Sequence, residues 1–201
     1  MGSKPTVITK DGTQIWKNEN GYLHREDGAA VICQDGRKEW WYHGKLHRED
    51  GPAVFYPDGR QFWFINDERH REDGPAEIYP DGTQYWYING KLHREDGPAE
   101  ISPNGEQHWF INGKRHREDG PAVIYPDGEQ HWYINGDRHR ENGPAVICPD
   151  GTHQWYINWH DVTYKIKKWA KDRDIDLGNL TEMDKMIISM EWGNYGKNDE
   201  T

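Results

Sequence analysis

Residues 70–92 read HREDGPAEIYPDGTQYWYINGKL, and this stretch decides the fold because it repeats. His-Arg-Glu-Asp begins at His24, His47, His70, His93 and His116 and returns as His-Arg-Glu-Asn at His139, always 23 residues on. Trp40, Trp63, Trp86, Trp109, Trp132 and Trp155 keep the same interval. Self-similarity at a short fixed period is the signature of a stacked array whose units bury surface only against their neighbours. An earlier partial unit carries Trp16, but residues 17–23 are one residue longer than their counterparts, so that first turn has to be built differently.

Within the unit, residues 75–79 and 83–88 are β-branched and aromatic, and Pro80-Asp81-Gly82 joins them with hairpin-turn chemistry. Asn89-Gly90 supplies a second turn, and His-Arg-Glu-Asp-Gly makes a longer connection to the next hairpin. Each unit is therefore expected to hold two strands and two reversals. Strand alternation then assigns faces. Trp86, Ile88 and Ala76 fall on sides that scarcely vary between units. The opposite positions vary: Val31, Val54, Glu77, Glu100, Val123 and Val146 in one strand, and Glu39, Phe62, Tyr85, His108, His131 and Gln154 in the other. The constant set is expected in the packed ladder and the variable set on the more accessible face.

After Trp155 the pattern stops. Asp161 can cap a helix in which Val162, Ile166 and Trp169 recur, and Leu177-Gly178-Asn179 breaks it. Thr181 with Asp184 resembles a capping box before an apolar stripe of Met183, Met186, Ile187 and Met190. The expected fold is mostly β: an elongated solenoid, a single twisted sheet of stacked 23-residue hairpins over residues 1–158. Residues 159–201 would form a C-terminal helical hairpin that caps the last open edge, followed by a polar, disordered tail.

Composition narrows the function classes. Leu, Ile, Val and Phe together make only 31 of 201 residues, a fraction that with high net charge normally reads as disorder. Eleven Trp and eleven Tyr restore the missing buried area. A formal net charge of −10 disfavours nucleic acid and anionic lipid, which need a basic stripe. With no apolar run for a signal peptide or a membrane span, a soluble, cytoplasmic protein is expected. Cys33 and Cys148 occupy the same phase of the repeat, five units apart, so a regular stack would separate them by about 50 Å. A disulfide needs Cα atoms within about 7 Å, so both are expected as free thiols in a reducing compartment.

Tyr79-Pro80-Asp81-Gly82, an aromatic strand and then Asn89-Gly90-Lys91-Leu92-His93 resemble the MORN repeat, which has the same length, in the variant form of bacterial and phage proteins. The resemblance covers roughly residues 11–158. It departs from the common pattern, in which His-Gly-x-Gly follows Asn-Gly-Lys, because Arg-Glu-Asp here stands between His and Gly-Pro-Ala. It implies one long sheet of hairpins with scaffolding, dimerising and sometimes lipid-contacting roles, and it names no catalytic residue. By the same association the chain is expected to sequester or inhibit a host or defence component. A second resemblance, to aromatic choline-binding repeats, implies cation–π cages for quaternary ammonium.

His-Arg-Glu-Asp offers a base, a cation and two carboxylates, but two strands per unit place equivalent residues about 10 Å apart, too far to share one metal ion. The loops are therefore expected to be structural, with Arg pairing to a carboxylate of the neighbouring unit while His and Asp hold turn backbone groups. Six near-identical copies also argue against an asymmetric active site, so no catalytic residue, metal or cofactor is expected. The places where symmetry breaks form the candidate binding surface: Tyr85, Tyr87, Glu100, His108, Phe110, Arg115, His131, Tyr133, Arg138 and Tyr156. Aromatic and Arg side chains suit a protein-interface hot spot. The expected function is a non-catalytic protein-binding scaffold. The alternatives are a binder of a choline-like cation or nucleotide-like molecule, and a metal-dependent enzyme using the His-Arg-Glu-Asp loops. Homodimerisation through the first strand edge, near Val7 and Ile8, is a further expectation.

Overall fold

A computed structural model describes residues 3–193, so the expected polar tail lies outside the described residues. The chain is mostly β, built of antiparallel hairpins with two helices near its end. It divides after Pro103 into two compact units. In the first, nine two-residue strands from Val7–Ile8 to Glu100–Ile101 form an antiparallel ladder. The second holds a ladder of five, from Gln107–His108 to His153–Gln154, and both helices.

One repeat illustrates the construction. Glu77–Ile78 pairs with Gln84–Tyr85, which pairs with Glu100–Ile101 of the next repeat. The turn between the first two is fixed locally: Gly82 adopts φ +93°, and the Asp81 carboxylate accepts the Thr83 N–H at 2.9 Å. This is a three-residue loop with glycine at the left-handed position, where a Cβ would be strained.

The expected single strand 83–88 is in fact two. Trp86 divides it, donating its N–H to the Ala99 carbonyl (2.8 Å) and accepting from the His93 N–H (3.0 Å). The chain leaves the ladder at this residue and enters a side hairpin, Tyr87–Ile88 paired with Lys91–Leu92. Each complete repeat thus carries four short strands, twice the number expected. The cause is the Asn89-Gly90 turn: both residues have positive φ, 49° and 73°, and such a two-residue turn closes a hairpin of its own. Side hairpins follow one another through backbone bonds, Gly90 N–H to the Arg69 carbonyl (2.9 Å) and Arg71 N–H to the Tyr87 carbonyl (3.0 Å). The longer first turn is rebuilt as expected: only a single bridge, Lys17 to Leu23, remains of that side hairpin, and the Asn18 side chain accepts from the Asn20 and Tyr22 N–H groups.

The alanine of each repeat is sealed between strands; Ala53, Ala76, Ala99, Ala122 and Ala145 expose nothing. Neither face, however, is an open one. Val31, Val54, Glu77, Val123, Val146, His108 and His131 are buried, whereas Trp63, Trp86 and Trp109 are half-buried. Alternation places residues on sides correctly, but which side is covered depends on the aromatic rings and the side hairpins beside them. In the second unit Trp109 and Tyr125 pack on Ala122, Val123 and Tyr133.

Helix α1 (Thr163–Asp172) starts one residue later than expected, with Val162 in place of Asp161 at the N-cap and no cap bond from the Val162 side chain, whereas α2 (Glu182–Trp192) begins where the sequence puts it. The Asp161 carboxylate accepts the Thr163 N–H at 2.8 Å, and Thr181 with Asp184 closes a reciprocal capping box. Ile166, Trp169, Ala170 and Ile188 pack on Trp155 and Ile157 of the last hairpin, with Ile187 and Trp192 against them. The methionine stripe does not face this core: Met183, Met186 and Met190 are exposed, and the inward side is set by Ile188, two residues from Met186 and Met190 and so well round the helix from both. Among the described residues no helix is long and apolar enough to cross a membrane. Both cysteines are free.

Candidate functional site

The ten residues singled out by broken symmetry lie in two places, one in each unit. In the first, Tyr85 stands opposite Glu100 in the ladder, and its ring packs on Tyr79 and Tyr87 at 6.1 and 6.4 Å between centroids. Arg69, from the preceding side hairpin, lies over Tyr87 at 5.6 Å and forms an ion pair with buried Glu77. Glu77 also accepts a hydrogen bond from the Tyr79 hydroxyl at 3.0 Å. Burial, and then the charge of Glu77, push the Tyr79 phenol up to about 12, so it stays a donor to that carboxylate.

In the second unit the remaining seven form a continuous row. His108 stacks on Phe110 at 6.3 Å, Tyr125 stands edge-on between His108 and His131, and Tyr133 meets Trp159 edge-on at 6.0 Å. His108 Nε2 lies 2.7 Å from Glu106, and His131 Nε2 lies 2.6 Å from Glu129. Arg115 sits over Phe110 and Tyr133, and Arg138 over Tyr133 and Tyr156. The row is therefore brought together as expected, but its ring faces already carry the protein's own guanidinium groups. Tyr133, His108 and His131 are only 5%, 6% and 9% exposed, and the other seven are half-buried.

The His-Arg-Glu-Asp loops line a second, more open surface. The Arg71 guanidinium lies over Trp63 and bonds to Asp73 (Nε, 2.8 Å) and to the Pro75 carbonyl (Nη1, 3.2 Å). Its carboxylate partner is thus in its own loop, not in the neighbouring repeat, because Asp two residues on already reaches Nε. Gly74 allows the closure: a Cβ there would come 3.0 Å from the guanidinium carbon. The Arg71 bond, followed by its charge, holds the Asp73 carboxyl below its usual range, and Asp50, Asp96 and Asp119 behave alike. His70 Nδ1 accepts the Asn89 N–H at 3.2 Å, which is the turn-holding role expected of it; His116 and His139 do the same for Asn135 and Asn158.

Between consecutive loops lies a groove of about 950 Å³, lined by Trp86 and Ile88 between the loops of Arg71 and Arg94. The groove recurs in the first unit at Trp63 (about 770 Å³) and, with Tyr42 in place of the Ile, at Trp40 (about 700 Å³), and in the second at Trp132 (about 570 Å³). At each rim stands the Glu of the loop. The Glu72 side chain is 85% exposed, and its carboxylate lies 3.7 Å from His70 Nε2, beyond hydrogen-bonding distance.

The sequence reading assigned these glutamates to the framework and so missed them. A signal was present: glutamate is kept at all six places from Glu26 to Glu141, whereas another position, exposed in four copies, drifts through Lys45, Glu68, Lys91, Lys114 and half-buried Asp137. Among the described residues no group of three or more His, Cys, Asp or Glu side chains is arranged to hold a metal ion. No protein-family model matches the chain, and no curated protein is significantly similar to it.

Proposed function

We propose that this chain is a non-catalytic repeat scaffold that binds another protein along its loop edge. The observation that carries the reading is the recurrence of one groove, with the same Trp and loop residues, in successive repeats of the first unit. Its Arg and His side chains are committed to holding the loop and the next turn, which leaves the rim carboxylates and the indole edges to meet a partner. A preformed array loses little freedom on association, so modest contacts at each repeat can add to useful affinity. The resemblance to MORN repeats points the same way, toward a scaffold that sequesters its partner.

The test is affinity capture from the native cell with the intact chain, followed by the stoichiometry of the purified complex. One protein at a fixed ratio that survives size-exclusion chromatography is the expected result. Capture that never yields a fixed ratio, or turnover of a small molecule by the pure chain, would overturn the reading.

A further inference from the structure

We infer that the loop-edge grooves of the first unit seat a basic, proline-rich segment of the partner in polyproline II conformation, with one Lys or Arg per groove. The inference deepens the protein-binding reading and rests on it. Its first support is pitch. Each repeat adds two ladder strands, so successive grooves are about 9.4–9.8 Å apart. A polyproline II helix has three residues per turn and rises about 3.1 Å per residue, which returns every third side chain to the same face after about 9.3 Å. Over three grooves the mismatch stays within about 1 Å. A β-strand would turn every third side chain to the opposite face, and an α-helix would need more than six residues per groove.

Charge is the second support. Each loop carries one Arg against one Glu and one Asp, a net −1 with His neutral. The cation is drawn in against Trp and the Pro carbonyl, whereas the acids face water: Glu49 and Glu72 are 85% exposed, Glu95 86%, and Asp50, Asp73 and Asp96 each 84%. Each rim therefore presents carboxylates to an incoming ammonium or guanidinium group. The third support is the lining. Trp86 and Ile88, with Pro75 beside them, offer the aromatic and apolar contact on which polyproline II ligands dock. Glu49, Glu72 and Glu95 are retained although each carboxylate lies 3.7–3.8 Å from its own loop His, beyond hydrogen-bonding distance, which is what such a role would require.

The test uses the full chain and the synthetic peptide (Lys-Pro-Pro)6, titrated at constant ionic strength against a peptide of the same composition with its six lysines contiguous. Spaced lysines should bind at least ten times more tightly than contiguous ones. The triple variant Glu49→Gln, Glu72→Gln, Glu95→Gln should lose at least tenfold in affinity with its thermal midpoint unchanged. A control with three exposed acids removed elsewhere, Glu19→Gln, Glu68→Gln and Glu191→Gln, should lose less than threefold. Equal binding of the two peptides, or equal losses in the two triple variants, would reduce the effect to unspecific charge attraction and overturn the inference. Should the peptide fail and the groove variant still capture the native partner at full stoichiometry, the groove assignment falls and the scaffold reading stands. Should neither form capture a partner, the scaffold reading falls as well.

Discussion

Arg71 lies over the indole of Trp63, its guanidinium carbon 4.1 Å from the ring centroid. The contact recurs through the array, from Arg25 on Trp16 at 3.9 Å to Arg140 on Trp132 at 4.0 Å, each Trp receiving the Arg of the following loop. Trp155 has no following loop. It is instead covered by Ile166, Trp169 and Ile188, and is only 1% exposed. The helical pair thus does for the last tryptophan what an arginine loop does for the others.

Removing one such arginine should be costly. Arg71→Ala gives up a cation–π contact worth about 1–2 kcal/mol and hydrogen bonds worth about 1 kcal/mol. A loss of about 2–3 kcal/mol is expected from urea unfolding. Arg71→Lys should recover less than half of it, because an ammonium cannot lie flat on Trp63 while reaching Asp73 and the Pro75 carbonyl together. Full recovery by lysine would mean that charge alone holds the loop.

Glu77 is 4% exposed in a position that is Val31, Val54, Val123 or Val146 in other repeats, and Arg69 is its ion partner. Arg69→Ala should destabilise the chain by about 2 kcal/mol, below the usual cost of stranding a buried charge because Arg69 is 45% exposed. Glu77→Val should be neutral or stabilising, since it replaces a desolvated pair with a side chain this site already accepts in four other repeats. Chemical denaturation of the two single variants and the double variant checks both signs; a Glu77→Val loss as large as that of Arg69→Ala would refute the argument.

What could be read from the sequence was local chemistry. The 23-residue period, the Pro-Asp-Gly loop, the Asn89-Gly90 turn and the Thr181–Asp184 capping box are written in nearby residues, and each appears where expected. What could not be read depends on neighbours distant in sequence. Trp86 divides a strand because its N–H and carbonyl bond to different partners, Ala99 and His93. The His108 to Tyr156 row was legible as a row, but its filling by Arg115 and Arg138 is a matter of packing. Only the rim glutamates were within reach, by asking which charged residue every copy keeps while a nearby position drifts.

Acidification should loosen the loops. Asp50, Asp73, Asp96 and Asp119 have carboxyls held below the usual carboxylate range by their loop arginines. A depressed folded value stabilises the fold above the unfolded value and loses that contribution as pH falls through the folded one. The thermal midpoint is therefore expected to fall from about pH 4 downward. In the triple variant Asp50→Asn, Asp73→Asn, Asp96→Asn the fall should be shallower and start from a lower plateau. The last copy already carries Asn142 opposite Arg140, so Asn142→Asp should raise the midpoint at pH 7 and steepen the acid limb. Identical profiles for all three proteins would show that the loop pairs do not contribute.

The cap separates two helix faces that the sequence alone confused. Ile166 and Ile188 are fully buried against Trp155 and Ile157, so Ile166→Ala should cost about 2–4 kcal/mol through lost contact and the cavity left behind. Met186 is 51% exposed on the other side of α2, and Met186→Lys should change stability by less than about 0.5 kcal/mol. Ile166→Ala should also uncover the indole of Trp155, red-shifting its fluorescence and leaving the last hairpin edge open to pair with another chain. Sedimentation of the variant is expected to show concentration-dependent association absent from the parent. A variant that loses stability yet stays monomeric would mean that the helices hold the last repeat together without shielding its edge.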